Sequence, residues 1–228
     1  MNSSTLRIDL TEFAAFIHQA ALTPSLSDEL LNQICSGSQQ FNIPRLCTDL
    51  IRLERAKELI GSKSQTKLIT VIGFPFGNIP NKFKRSEAEW AINKGAEELE
   101  VVPNLLALCQ GKINIFAEEL AQLCEIGSPM RSILDINQIP REKLSLAIEA
   151  SIDAGVSGIQ VGNGFGPPIS QEQIREVSLL VKDRSAIKAV GGIKTIQHAM
   201  TLIEAGATEI GTSFGIEMLQ AIRAENKH

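Results

Sequence analysis

A chain of 228 residues that is 43% hydrophobic and 21% charged has an ordinary globular balance, which excludes disordered, collagen-like and membrane-embedded classes. A formal net charge of −4 without a Lys/Arg cluster supplies no basic field for a phosphate backbone, so no nucleic-acid partner is expected. Met1 to Leu10 holds no apolar stretch behind a basic segment, and no later run approaches the roughly 20 apolar residues needed to cross a bilayer, so the expectation is a cytoplasmic protein with no membrane association.

In chain order, Ser3 to Leu22 reads as a helix leading into a short extended piece. Val- and Ile-rich runs then predict strands at Arg45 to Thr48, Lys67 to Ile72, Glu98 to Val102, Ser132 to Asp135, Gly158 to Val161, Ala186 to Ala189 and Glu209 to Thr212. Helical patterns lie between them. Asn81 to Lys94 sets Phe83, Ala88, Ala91 and Ile92 mostly on one face, and Pro140 to Ala154 opens with proline at its first turn. Gly95, Gly155 and Gly206 stand just before strands, where a left-handed helix cap is wanted, and the recurrence of this junction favours a closed barrel. An open doubly wound sheet has the same alternation and stays the alternative fold. No linker or composition shift divides the chain, so residues 1–228 are read as a single domain.

The four cysteines, Cys35, Cys47, Cys109 and Cys124, lack C-x-x-C spacing and read as free thiols. No two of His18, His198 and His228 stand at i, i+3 or i, i+4, so neither a metal nor another cofactor is expected. In a parallel barrel the chemistry sits at the carboxyl ends of the strands, which makes Glu100, Asp135, Gln160 and Lys188 the residues to weigh, with buried ion pairs as the plain alternative. Glycine-rich turns follow the late strands: Gly162 to Gly166, Gly191-Gly192, and Gly211 to Gly215 ahead of a helix. Such turns let backbone N–H groups approach a phosphate, although glycine can also simply shape a loop. Gly211 to Gly215 also fits G-x-S-x-G with Ser213 as nucleophile, but that hydrolase order needs an acid and then a histidine downstream, and the only histidine after Ser213 is the terminal His228, which argues against it. Gly162 to Gly166 does not complete a dinucleotide fingerprint.

From Phe16 to Leu219 the chain resembles the deoxyribose-phosphate aldolases. The resemblance is carried by Val71-Ile72-Gly73-Phe74-Pro75-Phe76-Gly77, Gly95-Ala96-Glu97-Glu98-Leu99-Glu100-Val101-Val102, Ile187-Lys188-Ala189-Val190-Gly191-Gly192-Ile193-Lys194-Thr195, and the run from Ile203 to Ser213. It implies a (β/α)8 TIM barrel with an extra N-terminal helix, the extended piece near Leu22 being the eighth strand. It also implies a lyase of the class I aldolase type, in which a lysine forms a Schiff base with a carbonyl. By resemblance that lysine falls at Gln160, whose amide lone pair is delocalised and cannot attack.

Further departures accompany it. Glu100 stands for the family's proton-handling aspartate, Arg131 for a lysine, His18-Gln19 for an Asp-His pair, and Phe76 for a histidine, while Val161-Gly162-Asn163 replaces a hydroxyl-rich turn. The second lysine, Lys188, is retained. A free lysine titrates near 10.4, and Gln160 removes the neighbouring charge that would lower it, so Lys188 is expected to act as a fixed cation that holds a substrate oxygen or pairs with Glu100. The expected site is therefore Lys188 and Glu100 for catalysis, with Gly164, Gly191, Gly192 and Ser213 for phosphate. The expected ligand is a small phosphorylated sugar or aldehyde, cleaved or joined by an altered aldol mechanism; the alternative is an inactive homologue that binds a phosphorylated metabolite or regulates a partner. A homodimer is the oligomer considered.

Overall fold

The computed structural model describes residues 8–226. Eight parallel strands close into a barrel in the order β1 to β8, each paired with its sequence neighbour and β1 with β8. They are β1 (Ile17–Ala21), β2 (Arg45–Thr48), β3 (Lys67–Ile72), β4 (Glu98–Val101), β5 (Met130–Leu134), β6 (Gly158–Val161), β7 (Ala186–Val190) and β8 (Glu209–Thr212). The open-sheet alternative is thereby excluded. The extended piece at the N-terminus is a full member of the barrel, following a short helix, α1 (Leu10–Phe16). The start of the predicted N-terminal helix, Ser3 to Arg7, and the terminal His228 lie outside the described residues.

Outside the barrel run α2 (Asp28–Gln40), α3 (Leu50–Ile60), α4 (Asn81–Asn93), α5 (Leu105–Cys109), α6 (Ile113–Cys124), α7 (Arg141–Asp153), α8 (Gln171–Val181), α9 (Ile196–Glu204) and α10 (Gly215–Glu225). Their starts are capped as the sequence dictates: Ser27, Asp49, Ser170 and Thr195 each accept a hydrogen bond from a first-turn N–H, and Ser170 with Gln173 forms a capping box. Pro80 and Pro140 sit at the N-caps of α4 and α7. The glycine junctions close alike: Ala96, Val156 and Ala207 donate backbone N–H bonds to Ala91, Ser151 and Leu202 across Gly95, Gly155 and Gly206, which all take positive φ.

The main apolar core lies between barrel and helices, where residues such as Phe13, Leu53, Phe116 and Leu202 are buried. On α4 the apolar face is corrected by the structure. Ala88 and Ala91 are buried as expected, but Phe83 is 53% exposed and the position beside it, Lys84, is fully buried. The apolar stem of Lys84 fills the core, and its ammonium finds Glu119 of α6 at 2.6 Å.

Barrel interiors are usually layered with branched aliphatics. Here the layer at the N-terminal ends of the strands is charged. Arg131 of β5 donates to Glu209 of β8 at 2.6 and 2.7 Å and to Glu98 of β4 at 2.6 Å. Arg45 of β2 adds a bond to Glu98 at 2.9 Å, and His18 of β1 lies 3.6 Å from Glu209. Burial raises the Glu98 carboxyl, but the hydrogen bonds from Arg131 and Arg45 outweigh it and hold the group at about 2. His18 is pushed well below 6.5 by burial and by the nearby cations Lys188, Arg131 and Arg45, so it is neutral at pH 7. Gly158 makes room for this network, since a Cβ there would meet Arg131 Cγ at 3.0 Å.

Candidate active site

Above the charged layer, at the carboxyl ends of the strands, a cavity of about 460 Å³ opens. Its floor is formed by Lys188 of β7, Gln160 of β6, Glu100 of β4 and Cys47 of β2. Lys188 crosses the barrel to pair directly with Glu100 Oε1, and both side chains are almost wholly buried. The crossing depends on Gly211 of β8, where a Cβ would come within 2.7 Å of Lys188 Cε. The second oxygen of Glu100 accepts from the Cys47 thiol at 3.3 Å. Burial, and then the charge of Glu100, raise that thiol well above 9.0, so Cys47 is a protonated donor rather than a thiolate nucleophile.

Gln160 lies beside Lys188 in strand register. Its Nε2 donates to the carbonyl of Gly162 at 3.1 Å, and because a carbonyl only accepts, this bond fixes the orientation of the amide. Oε1 is left buried with no protein partner. The same turn leaves no space for a side chain at Gly162, where a Cβ would lie 2.3 Å from the carbonyl oxygen of Val190.

The four residues read from the sequence as phosphate ligands, Gly164, Gly191, Gly192 and Ser213, all line this one cavity. Gly192 has φ of +68° and carries no Cβ that would strike Pro168 at 2.7 Å, so the chain packs there as only glycine allows. Thr212 Oγ1 accepts from the Phe214 N–H at 3.0 Å and donates to the Ile193 carbonyl at 2.6 Å, clamping the two turns together. Gln19 strengthens the clamp: its amide donates to the Ser213 carbonyl at 3.0 Å and accepts from the Ile216 N–H at the start of α10 at 3.2 Å.

Some residues singled out in the sequence lie elsewhere. Asp135 follows β5 but turns away from the cavity to cap its own loop, accepting from the Asn137 N–H at 3.2 Å and Gln138 Nε2 at 2.6 Å. Arg131 belongs to the charged layer below the floor, and Phe76 points outward, half-exposed. Conversely, Cys47, Phe74, Phe165 and Lys194 line the cavity although sequence reasoning gave them no role there. Lys194 had a signal, since it stands two residues past Gly192 in the same turn. Phe165 had one too, inside the Gly162 to Gly166 turn, whereas Cys47 and Phe74 required the barrel to be closed.

Among the described residues no helix is long and apolar enough to cross a membrane. No family model matches the chain. A deoxyribose-phosphate aldolase of Microcystis aeruginosa is 35% identical over 93% of this chain and 95% of its own length. That of the archaeon Thermococcus gammatolerans is 30% identical over 93% and 97%. A solved aldolase structure superposes with a TM-score of 0.89 at 31% identity, covering 96% of this chain and 98% of that one. The deoxyribose phosphate aldolase of Aeropyrum pernix, described as a tetramer, shares the fold at a TM-score of 0.85 and 24% identity. With a closed eight-stranded parallel barrel and 35% identity to a relative matched over nearly the full length of both chains, this protein belongs to the deoxyribose-phosphate aldolase family.

Proposed function

We propose that the cavity binds a small phosphorylated aldehyde or sugar and catalyses aldol cleavage or condensation without a Schiff base on Gln160. The observation that carries this reading is the buried Lys188–Glu100 pair on the floor of a cavity whose rim is built from Gly164, Gly191, Gly192 and Ser213. In the cleavage direction, the β-hydroxyl of the substrate gives its proton to Glu100. The Cα–Cβ bond breaks, its electron pair passes into the enolate, and the Lys188 ammonium holds the enolate oxygen. Glu100 then returns that proton to the α-carbon, which releases the shorter carbonyl product and leaves Glu100 ionised again. An ammonium in a water-poor site stabilises developing negative charge far better than it would in bulk water. The phosphate is held by backbone N–H groups of the glycine turns, with Lys194 as the nearby cation.

The test is retro-aldol turnover of 2-deoxyribose 5-phosphate, read as released acetaldehyde, alongside borohydride trapping and peptide mapping. Turnover lost in Lys188→Met and in Glu100→Gln, with no reduced adduct in the native protein, is the expected result. A trapped adduct on Lys188 would overturn the fixed-cation role. Tight binding of the phosphosugar without turnover would instead establish a non-catalytic phosphometabolite-binding homologue.

A further inference from the structure

One wall of the cavity is unlike the others. The small apolar cluster of Cys47, Ile69 and Val71, with Leu22 and Phe74 packed on it, is separate from the main core and faces the barrel mouth. Above it Phe74 meets Phe165, with ring centroids 5.6 Å apart and ring planes at 58°. Phe74 comes from the loop after β3 and Phe165 from the loop after β6, so the pair bridges the mouth across the ends of β4 and β5.

Both rings are held by their loops. The Gly73 N–H donates to Glu87 Oε2 at 2.8 Å and the Gly77 N–H to the Gly73 carbonyl at 2.7 Å, which closes a turn around Phe74. The Phe165 N–H donates to Asn163 Oδ1 at 2.9 Å, an Asx turn that projects the ring. Phe165 is nevertheless 60% exposed. A large apolar side chain fixed in place, exposed and lining a cavity is a contact surface awaiting an apolar partner. Charged groups are confined to the floor, where Lys188 and Glu100 neutralise one another, and to Lys194 on the side of the glycine turns.

We propose that the Phe74–Phe165 bridge and the Val71–Leu22 wall bind an unsubstituted alkyl or aryl segment, so the preferred ligand is a phosphate monoester with an apolar carbon chain rather than a polyhydroxylated sugar phosphate. This rests on the reading that the glycine turns hold phosphate. Every hydroxyl along a sugar chain that leaves water for this wall loses hydrogen bonds that the phenyl rings and aliphatic side chains do not replace. A methylene moved to the same place gains binding instead.

The experiment measures binding of n-alkyl phosphates, from methyl to pentyl, together with ribose 5-phosphate, by calorimetry on the native protein and on Phe165→Ser, whose exposed position leaves folding intact. Affinity in the native protein should rise roughly 3- to 4-fold per methylene, and pentyl phosphate should bind more tightly than ribose 5-phosphate. In Phe165→Ser the rise should fall below about 2-fold per methylene while methyl phosphate binds as before. A flat series in the native protein, or a slope untouched by Phe165→Ser and by Phe74→Ser, overturns the proposal. The two readings fail separately. If neither inorganic nor methyl phosphate binds, the phosphate site is lost, and the slope is read from the 2-alkanones, propanone to heptanone, where a flat series overturns the apolar wall as well.

Discussion

Replacing Arg131 by methionine tests whether the charged layer below the floor is a structural support. The guanidinium makes three short bonds, two to Glu209 at 2.6 and 2.7 Å and one to Glu98 at 2.6 Å. Methionine fills most of the volume but leaves Glu209 with only a neutral His18 at 3.6 Å and Arg45 at 3.9 Å. Glu98 keeps Arg45 at 2.9 Å and Lys67 at 3.4 Å. Stranding a buried carboxylate in this way costs about 3–5 kcal/mol. In a domain of this size that corresponds to a loss in Tm of roughly 6–20 °C.

The pH dependence gives the reasoning a second handle. Glu98 is held at about 2 against an ordinary 4.5, a gap corresponding to roughly 3 kcal/mol. Because its folded value is depressed, this stability is fully present above pH 4.5 and is lost as the pH falls through about 2. Without Arg131 the carboxyl climbs toward its ordinary value, so the difference in Tm between native protein and variant should narrow from pH 5 downward. Differential scanning calorimetry at pH 7, 5 and 3.5 reads both effects. A loss under about 2 °C at pH 7, or a difference that widens in acid, would refute the account. Arg131→Lys should recover only part of the loss, because a single ammonium cannot reproduce the forked contact.

Gly162→Ala should destabilise by about 2–3 kcal/mol in urea unfolding, because its Cβ would meet the Val190 carbonyl oxygen at 2.3 Å at a backbone φ of +85°. Iodoacetamide on the native protein should label Cys109, the exposed thiol, and spare Cys47 until the chain is unfolded, since burial keeps Cys47 protonated; the modified peptides report the order. Gln160→Lys places a second ammonium beside Lys188, where like-charge repulsion lowers the pKa of one of the two, and borohydride trapping with 2-deoxyribose 5-phosphate should become detectable. A folded Gln160→Lys protein with no trapped adduct would show that Gln160 is not the sole departure that excludes Schiff-base chemistry.

Much of the architecture is local in origin and was therefore legible in the sequence. The alternation of Val/Ile runs with helical segments, and the glycine junctions at Gly95, Gly155 and Gly206, are set by backbone preferences within a few residues. Strand edges moved by one or two positions, as at β5, which begins at Met130 rather than Ser132, because pairing with neighbours decides where a strand starts. The gathering of Glu100, Gln160 and Lys188 at one end followed from strand order alone. Tertiary structure decided what no local pattern encodes. It carried Lys188 across the barrel to Glu100 over Gly211. It sent Arg131 down to join Glu98 and Glu209, and it brought Phe74 to Phe165. Each of these contacts joins elements far apart in the chain, and their geometry exists only after β1 and β8 pair and close the barrel.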